Sequence, residues 1–537
     1  MSPQPPPPHA PTPGEPADDR AAEASATSPE AAGPQPASET VDVAAPKRRS
    51  LGRRILVVTG LVLALPMAVV FGGLGYVLFQ VLTNRPDDSP EHEASKNEYL
   101  REISEAGVAP ASGKAPNVLL VYYDDLGYGD LGFSGDGPID TPNIDALAES
   151  GIVLSNYHAP SPVCTPSRAA MLTGRLAPRA DVPDVLFPTG EPMGIMNKVS
   201  GVFGLTQAEI TIPDVLQASG YETRMIGKWH VGDTEGSLPN DFGFDSFLGS
   251  LYSNDINPFE IYRDDEVLLA DPVDQTQLDE LYTSEAVDFI ADASATEDPF
   301  FLYFAHNFPH DPLYVSAENE GRSDAGLYGD VVETLDDGIG RIVDELEATG
   351  QLDNTVIMVT SDNGPWYLGD PGDHRGRKGS VSEGGQRVPF LVHWPDGLEG
   401  GRELSTMTMG TDILPTLLEW LDLPAPDDRQ LDGTSMAALL EGTSDVASEH
   451  YYFYAGEQLL AVSDGRYKYY AEQPFLHANS GLPVSVATRQ GPWLFDLEAD
   501  QSEAYDVIDS HPDIAADLAA ELDRRNQEMA DNPRGWS

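Results

Sequence analysis

Four short, nearly unbroken apolar runs, at residues 118–121, 300–304, 355–359 and 389–392, constrain this chain more than any other feature. A strand with one face in water alternates polar and apolar residues, whereas a continuous apolar run suits a strand covered on both faces. Helical periods lie between the runs. Leu327, Val331, Leu335, Ile339, Val343 and Leu346 step by three or four, and Gly350 stands at a C-cap position. Alternating strands and helices predict an α/β fold, a large mostly parallel or mixed sheet sandwiched by helices. After about residue 450 the texture turns strand-rich. Segments 459–463 and 466–470 flank Asp464-Gly465, a hairpin signal, 493–497 reads as a further strand, and 512–525 as a closing helix. These predict a small C-terminal antiparallel α+β subdomain.

The N-terminal stretch has a different character. Residues 1–46 are rich in Pro, Ala, Glu and Ser and cannot bury enough surface to offset chain entropy. Lys47, Arg48, Arg49, Arg53 and Arg54 then precede a charge-free run from Ile55 to Leu82. A bilayer core takes about 20 helical residues, so this run is long enough to span. Pro66 and the glycines at 72, 73 and 75 are tolerated in lipid. Basic residues before the span and Asp87-Asp88 after it place the N-terminus in the cytoplasm and the rest of the chain outside it. A cleaved signal peptide fits poorly, since no small-x-small site follows the apolar run. The organisation expected is a disordered cytoplasmic tail (1–54), a transmembrane helix (55–82), a linker (83–114), a main domain (115–450) and a C-terminal subdomain (451–537).

Charge narrows the function. Against 88 acidic residues the chain has 31 basic ones, a formal net charge of −57, so nucleic acid, which demands a basic surface, is not a partner. The single cysteine, Cys164, excludes an intramolecular disulfide. Asp124-Asp125 follow the first apolar run and Asp362-Asn363 the third, and ligands of open α/β sheets gather beyond the carboxyl ends of strands. Oxygen donors of this kind suit Ca²⁺ or Mg²⁺. Each pair taken singly reads more readily as a cap or turn than as a metal site, and it is their place at equivalent strand ends that raises the metal reading.

The richest stretch is Cys164-Thr165-Pro166-Ser167-Arg168, continuing to Leu172-Thr173-Gly174, with Gly220-Tyr221-Glu222-Thr223 and Gly227-Lys228-Trp229-His230-Val231-Gly232 beyond it. Here the chain resembles the type I sulfatases, arylsulfatase-like and formylglycine-dependent members of the alkaline phosphatase superfamily. The resemblance takes in Asp124 to Asp130, Thr141-Pro142-Asn143, Leu186-Phe187-Pro188, Pro309-His310, Ser361 to Gly364 and Lys378-Gly379-Ser380 with Glu383-Gly384-Gly385, and covers roughly residues 115–505. It implies an alkaline-phosphatase-like sheet and hydrolysis of sulfate esters to alcohol and sulfate. It further implies that a formylglycine-generating enzyme oxidises Cys164 to Cα-formylglycine, whose hydrate attacks sulfur to give a covalent sulfo-enzyme. Pro166 fits the first turn of a helix, which would set Cys164 at an electropositive N-terminus.

Carried over by position, Asp124, Asp125, Asp362 and Asn363, with Cys164, resemble calcium ligands. The resemblance likewise implies that Arg168 holds the aldehyde hydrate, that Lys228 and Lys378 clamp the sulfate, that His230 is the base that releases sulfate, and that His310 is the acid for the leaving alcohol. Ser253 resembles a further sulfate contact. His158, His306, His374 and His393 read as surface or capping residues, with a place behind the site ligands as the alternative for His306 and His374, which lie near matched segments, and Tyr451 to Tyr454 read as strand packing. Two other readings stand beside this one: a formylglycine-dependent phosphodiesterase or phosphonate monoester hydrolase, and a non-catalytic sulfate-binding surface protein. The substrate expected is a small-molecule or carbohydrate sulfate ester, with long polyanions disfavoured by the acidic surface at low salt.

Overall fold

The computed structural model describes residues 89–107, 114–471, 473–474 and 489–537. The tail and the apolar run read as membrane-spanning lie outside the described residues; among the described residues no helix is long and apolar enough to cross a membrane. Within the stretch read as a linker, Pro90–Ala106 forms helix α1, whose Lys96 is buried in an ion pair with Asp214 at 2.8 Å.

Ten strands form the main sheet: β1 (Asn117–Tyr123), β2 (Ile152–Leu154), β3 (Glu222–Lys228), β4 (Ser246–Ser250), β5 (Ile261–Arg263), β6 (Glu266–Leu269), β7 (Phe300–Ala305), β8 (Thr355–Ser361), β9 (Leu391–His393) and β10 (Arg402–Leu404). Their order is β10-β2-β9-β8-β1-β7-β3-β4-β5-β6. The centre, β8-β1-β7-β3-β4, is parallel throughout, while β9 runs antiparallel to its neighbours β8 and β2. The sheet is thus mixed, with a parallel heart.

Seven consecutive residues of β1 are buried, and they divide by parity. Val118, Leu120 and Tyr122 face one core and Leu119, Val121 and Tyr123 the other. That is why the sequence run is apolar without alternation: both faces are covered. On the first face lie the helices α3 (Cys164–Thr173), α4 (Ile212–Ala218) and, later in the chain, Ile413–Trp420. On the second lie α2 (Pro142–Ser150), α5 (Leu278–Ala293) and α6 (Gly326–Ala348). The buried stripe of α6 runs through Val331, Leu335, Ile339, Ile342 and Leu346, while Leu327 in its first turn is exposed. Gly350 follows its end with φ +70°, as the C-cap reading required.

The C-terminal sheet is separate and antiparallel: β11 (Tyr451–Ala455), β12 (Gln458–Ser463), β13 (Tyr467–Tyr470) and β14 (Trp493–Asp496), in that order. Gly465 turns the β12–β13 hairpin with φ +95°. Helix α7 (Pro512–Asp531) closes over this sheet through Ala515, Leu518 and Leu522, which share a core with Tyr451, Phe453 and Tyr454.

Candidate active site

Parallel pairing decides which side chains meet. The β1–β8 register sets Tyr123 beside Ser361, so the chain leaves both strands at one edge and Asp124-Asp125 emerge next to Asp362-Asn363. On the other flank of β1, β7 and β3 bring His310 and Lys228 to the same edge. Gly227 pairs with Ala305 there at φ +112°, and a Cβ on it would lie 1.9 Å from the Ala305 carbonyl oxygen. Only glycine lets the two strand ends close.

Helix α3 delivers the cysteine. All ten of its residues are buried, Cys164 is its first residue, and Gly174 ends it in the left-handed conformation at φ 64°. Arg168 stands one turn on from Cys164, on the same helix face.

Around the thiol the predicted residues converge. Cys164 Sγ donates to Asp124 Oδ1 at 3.2 Å, and Lys378 Nζ donates to Sγ at 3.2 Å. Lys378 Nζ also lies 2.7 Å from Asp125 Oδ1. Lys228 Nζ donates to Asp124 Oδ2 and, at 3.2 Å, to Ser253 Oγ. Arg168 grips Asp362 Oδ2 through Nε at 3.0 Å and Nη2 at 2.9 Å, and Nη1 reaches the Lys228 carbonyl at 2.8 Å. His310 Nε2 is 3.8 Å from Asp125 Oδ2.

Donor atoms of Asp124, Asp125, Cys164 and His310 all lie within 4.8 Å of one another. Asp362 and Asn363 join through Asp125, whose amide donates to Asp362 Oδ1 at 3.2 Å and whose Oδ1 accepts from Asn363 Nδ2 at 2.7 Å. Asn363 Oδ1, buried beside them, has no hydrogen-bond partner. A buried amide oxygen next to three carboxylates is a donor set for a hard cation.

Residues 116–423 match the family model described as Sulfatase, and residues 377–530 match that of the C-terminal part of N-sulphoglucosamine sulphohydrolase. The chain is 34% identical to arylsulfatase A of Homo sapiens over 451 residues, 75% of this chain and 85% of that protein. It is also 34% identical to N-acetylgalactosamine-6-sulfatase of Sus scrofa over 398 residues, 70% of this chain and 75% of that protein. The crystal structure of PsFucS1 sulfatase from Pseudoalteromonas sp. superposes with a TM-score of 0.69 at 27% identity, covering 83% of this chain and 96% of that one. The chain belongs to the sulfatase family. It is a sulfuric ester hydrolase.

Electrostatics in this sulfatase follow from burial and crowding. Burial alone would raise the Asp124 carboxyl, but Lys228, His310, Arg168 and Lys378 outweigh it and hold it well below the usual range. Asp362 is pushed up by burial and by the charge on Asp124. Burial, with Asp124 and Asp362, pushes the Cys164 thiol far up, so the unmodified side chain is a neutral thiol. Burial and then Lys228 drive His230 well down. Its Nε2 lies 3.2 Å from the Leu186 carbonyl, which can only accept, so the proton sits on Nε2 and Nδ1 is left as a bare base with no partner. Asp125 (φ 66°) and His230 (φ 61°) both hold left-handed backbone, costing about 1 kcal/mol or more each.

Some positioning groups were not assigned from the sequence. Asn254 Oδ1 faces His310 Nδ1 at 3.2 Å, and its Nδ2 holds the Pro312 carbonyl at 2.9 Å, so it fixes the imidazole that borders Asp125. The Leu186 carbonyl sets the His230 tautomer, and a backbone atom leaves no trace in residue type. The surface reading of His158, His306, His374 and His393 is corrected: all four are buried, at 0%, 0%, 7% and 6% exposure. His158 pairs with Glu383 at 3.0 Å, and His306 Nδ1 caps the Phe308 amide at 2.9 Å.

Proposed function

We propose that this sulfatase works through Cα-formylglycine at position 164 and a calcium ion, and that its substrates are sulfated carbohydrates. The observation that carries the reading is the meeting of Cys164 with Asp124 and Lys378, each at 3.2 Å, beside the unpartnered Asn363 oxygen. Asp124, Asp125, Asp362 and Asn363, with position 164, would hold the cation, which when bound supplies positive charge to sulfate oxygens. The hydrated aldehyde would supply a nucleophile that a neutral, buried thiol does not.

The chain's own residues take the remaining roles. Lys228 and Lys378 reach the site from opposite sides, and ammonium groups fixed before the reaction stabilise oxyanion charge that grows in the transition state. Ser253, held by Lys228, adds a hydroxyl donor to the same anion. Arg168 anchors Asp362 and the helix that presents position 164. His230, neutral with a bare Nδ1, accepts the proton whose removal releases sulfate. His310, oriented by Asn254, donates to the leaving oxygen. A sulfated sugar as substrate is supported by the likeness to an N-acetylgalactosamine-6-sulfatase. Retention at the membrane by the 55–82 run, with the catalytic domain outside the cytoplasm, is supported by the charge-free length and the basic flank.

The test joins chemistry to mass. Protein from its native host is expected to hydrolyse 4-nitrophenyl sulfate, to lose that activity to a calcium chelator and to regain it with Ca²⁺. The peptide spanning position 164 is expected to carry the aldehyde mass. An unconverted thiol in a fully active preparation would remove the nucleophile assignment.

A further inference from the structure

A cavity of about 570 Å³ opens between the Lys378 loop and the C-terminal sheet. Lys378 belongs to its wall and also reaches Cys164 Sγ at 3.2 Å, so this one residue links the cavity wall to the reaction centre. Its wall is unusual for this chain. Arg375, Arg377 and Lys378 line it, and among the described residues no Asp or Glu does. Four other cavities of the molecule each have at least three carboxylates in their walls, as expected with 88 acidic residues against 31 basic.

The arginines sharpen the point. Arg168, Arg175, Arg179, Arg224, Arg263 and Arg322 all pair with carboxylates. Among the described residues Arg375, Arg377 and Arg402 do not, and of these Arg375 and Arg377 line the cavity. Arg375 is exposed and bonds only the Glu503 carbonyl, at 3.2 Å. Arg377 donates to the carbonyls of Trp366, at 2.8 Å, and Gly369, at 2.5 Å, and so props up the loop carrying Trp366 and Tyr367. These two rings meet edge to face at 4.7 Å and stay 41% and 53% exposed at the cavity rim. An exposed aromatic shelf suits the apolar face of a pyranose ring, and an unpaired guanidinium suits an oxyanion.

We propose that this cavity is a subsite for the leaving sugar, in which Trp366 carries the ring and Arg375 recognises a second oxyanion, a carboxylate or a further sulfate. The proposal rests on the sulfated-carbohydrate reading above and deepens it. The overall negative charge does not oppose such a substrate, because the cationic wall borders the site and distant acidic groups are screened over about 8 Å at physiological salt.

The test uses the full-length, matured protein and four substrates: 4-nitrophenyl sulfate, a disaccharide with one sulfate, the same disaccharide with a second sulfate, and one with a uronate carboxylate. Wild type is expected to show a KM about tenfold or more lower for at least one doubly charged sugar than for the singly charged one. Arg375→Gln is expected to erase that preference while leaving kcat on 4-nitrophenyl sulfate unchanged. Trp366→Ala is expected to raise KM for singly and doubly charged sugars alike. Whichever doubly charged sugar responds identifies the oxyanion. Turnover of 4-nitrophenyl sulfate with no preference among the sugars, or a preference that survives Arg375→Gln, overturns the subsite alone. Turnover of 4-nitrophenyl sulfate but of none of the sugars overturns the carbohydrate reading as well.

Discussion

Two buried charge clusters lie at the two ends of the segment from Lys378 to Glu383, and they differ in what they leave unfilled. At the far end Lys468 Nζ donates to Glu383 Oε1 and to the Val381 carbonyl, both at 2.8 Å. Glu383 Oε2 faces His158 Nε2 at 3.0 Å, and Glu503 accepts from Tyr470 and, at 3.0 Å, from the Glu383 amide. Every carboxylate oxygen has a protein donor, and one polar atom, His158 Nδ1, lacks a partner. Since Lys468 and Tyr470 lie on β13, the cluster fastens the C-terminal sheet to the main domain. At the near end, Asn363 Oδ1 and His230 Nδ1 are both without hydrogen-bond partners, and two residues hold left-handed backbone. Burial of charge alone does not mark a catalytic centre. Unfilled bonding capacity, held in place by strained backbone, does.

The largest expected effect tests the fastening role. Lys468→Met leaves Glu503 buried without its cation and Glu383 with only Arg387, 3.7 Å away, and breaking such a pair costs about 3–5 kcal/mol. Denaturant unfolding should show that loss, and the fraction still folded should keep most of its kcat. A variant as stable as wild type would remove the contrast. Lys228→Met is expected to do the reverse. With Ca²⁺ present, Asp124 keeps Arg168 and the proposed cation, so the melting temperature should fall less than in Lys468→Met. The kcat on 4-nitrophenyl sulfate should fall about 100–1000-fold, as when one preorganised donor to an oxyanion is lost. Equal destabilisation by the two substitutions would show that both clusters serve structure alone.

The same contrast explains what the sequence made legible. The parallel centre of the sheet was readable because β1, β7 and β8 are buried on both faces, which forces unbroken apolar runs. Cys164, Lys228, His230 and Lys378 were readable because they stand in contiguous motifs, and the register of β1 with β8 then brings Asp124 to Asp362. Lys468 was not readable by motif, yet composition held a signal. The chain has seven lysines, and Lys96, Lys228, Lys378 and Lys468 all make ion pairs with little or no exposure. In so acidic a chain a lysine marks an interior carboxylate more often than a surface. The histidines misled for a related reason. The partners of His158 and His306, Glu383 and the Phe308 amide, are fixed by tertiary contact or by backbone, although the apolar run ending at Ala305 was a signal of burial for His306.

The smallest expected effect concerns His374, a buried histidine near the Glu383 cluster. Its Nδ1 donates to the Gln501 carbonyl at 3.3 Å, and its ring meets Tyr128 edge-on at 4.9 Å. Burial, with Arg387 adding to it, lowers its pKa to about 4. In the unfolded chain a histidine titrates near 6.5. Between these values the unfolded state binds a proton that the folded state refuses, so the stability held above pH 6.5 is lost as pH falls towards 4. The slope is at most about 1.4 kcal/mol per pH unit. His374→Gln can keep a donor for Gln501 and removes the titration. Other buried histidines also respond to acid, so the quantity to measure is the difference in unfolding free energy between wild type and variant at several pH values. That difference should shift against wild type by up to about 3 kcal/mol from pH 6.5 to 4. A difference that stays constant would mean that His374 takes its proton in the folded protein, and that its surroundings are open to water.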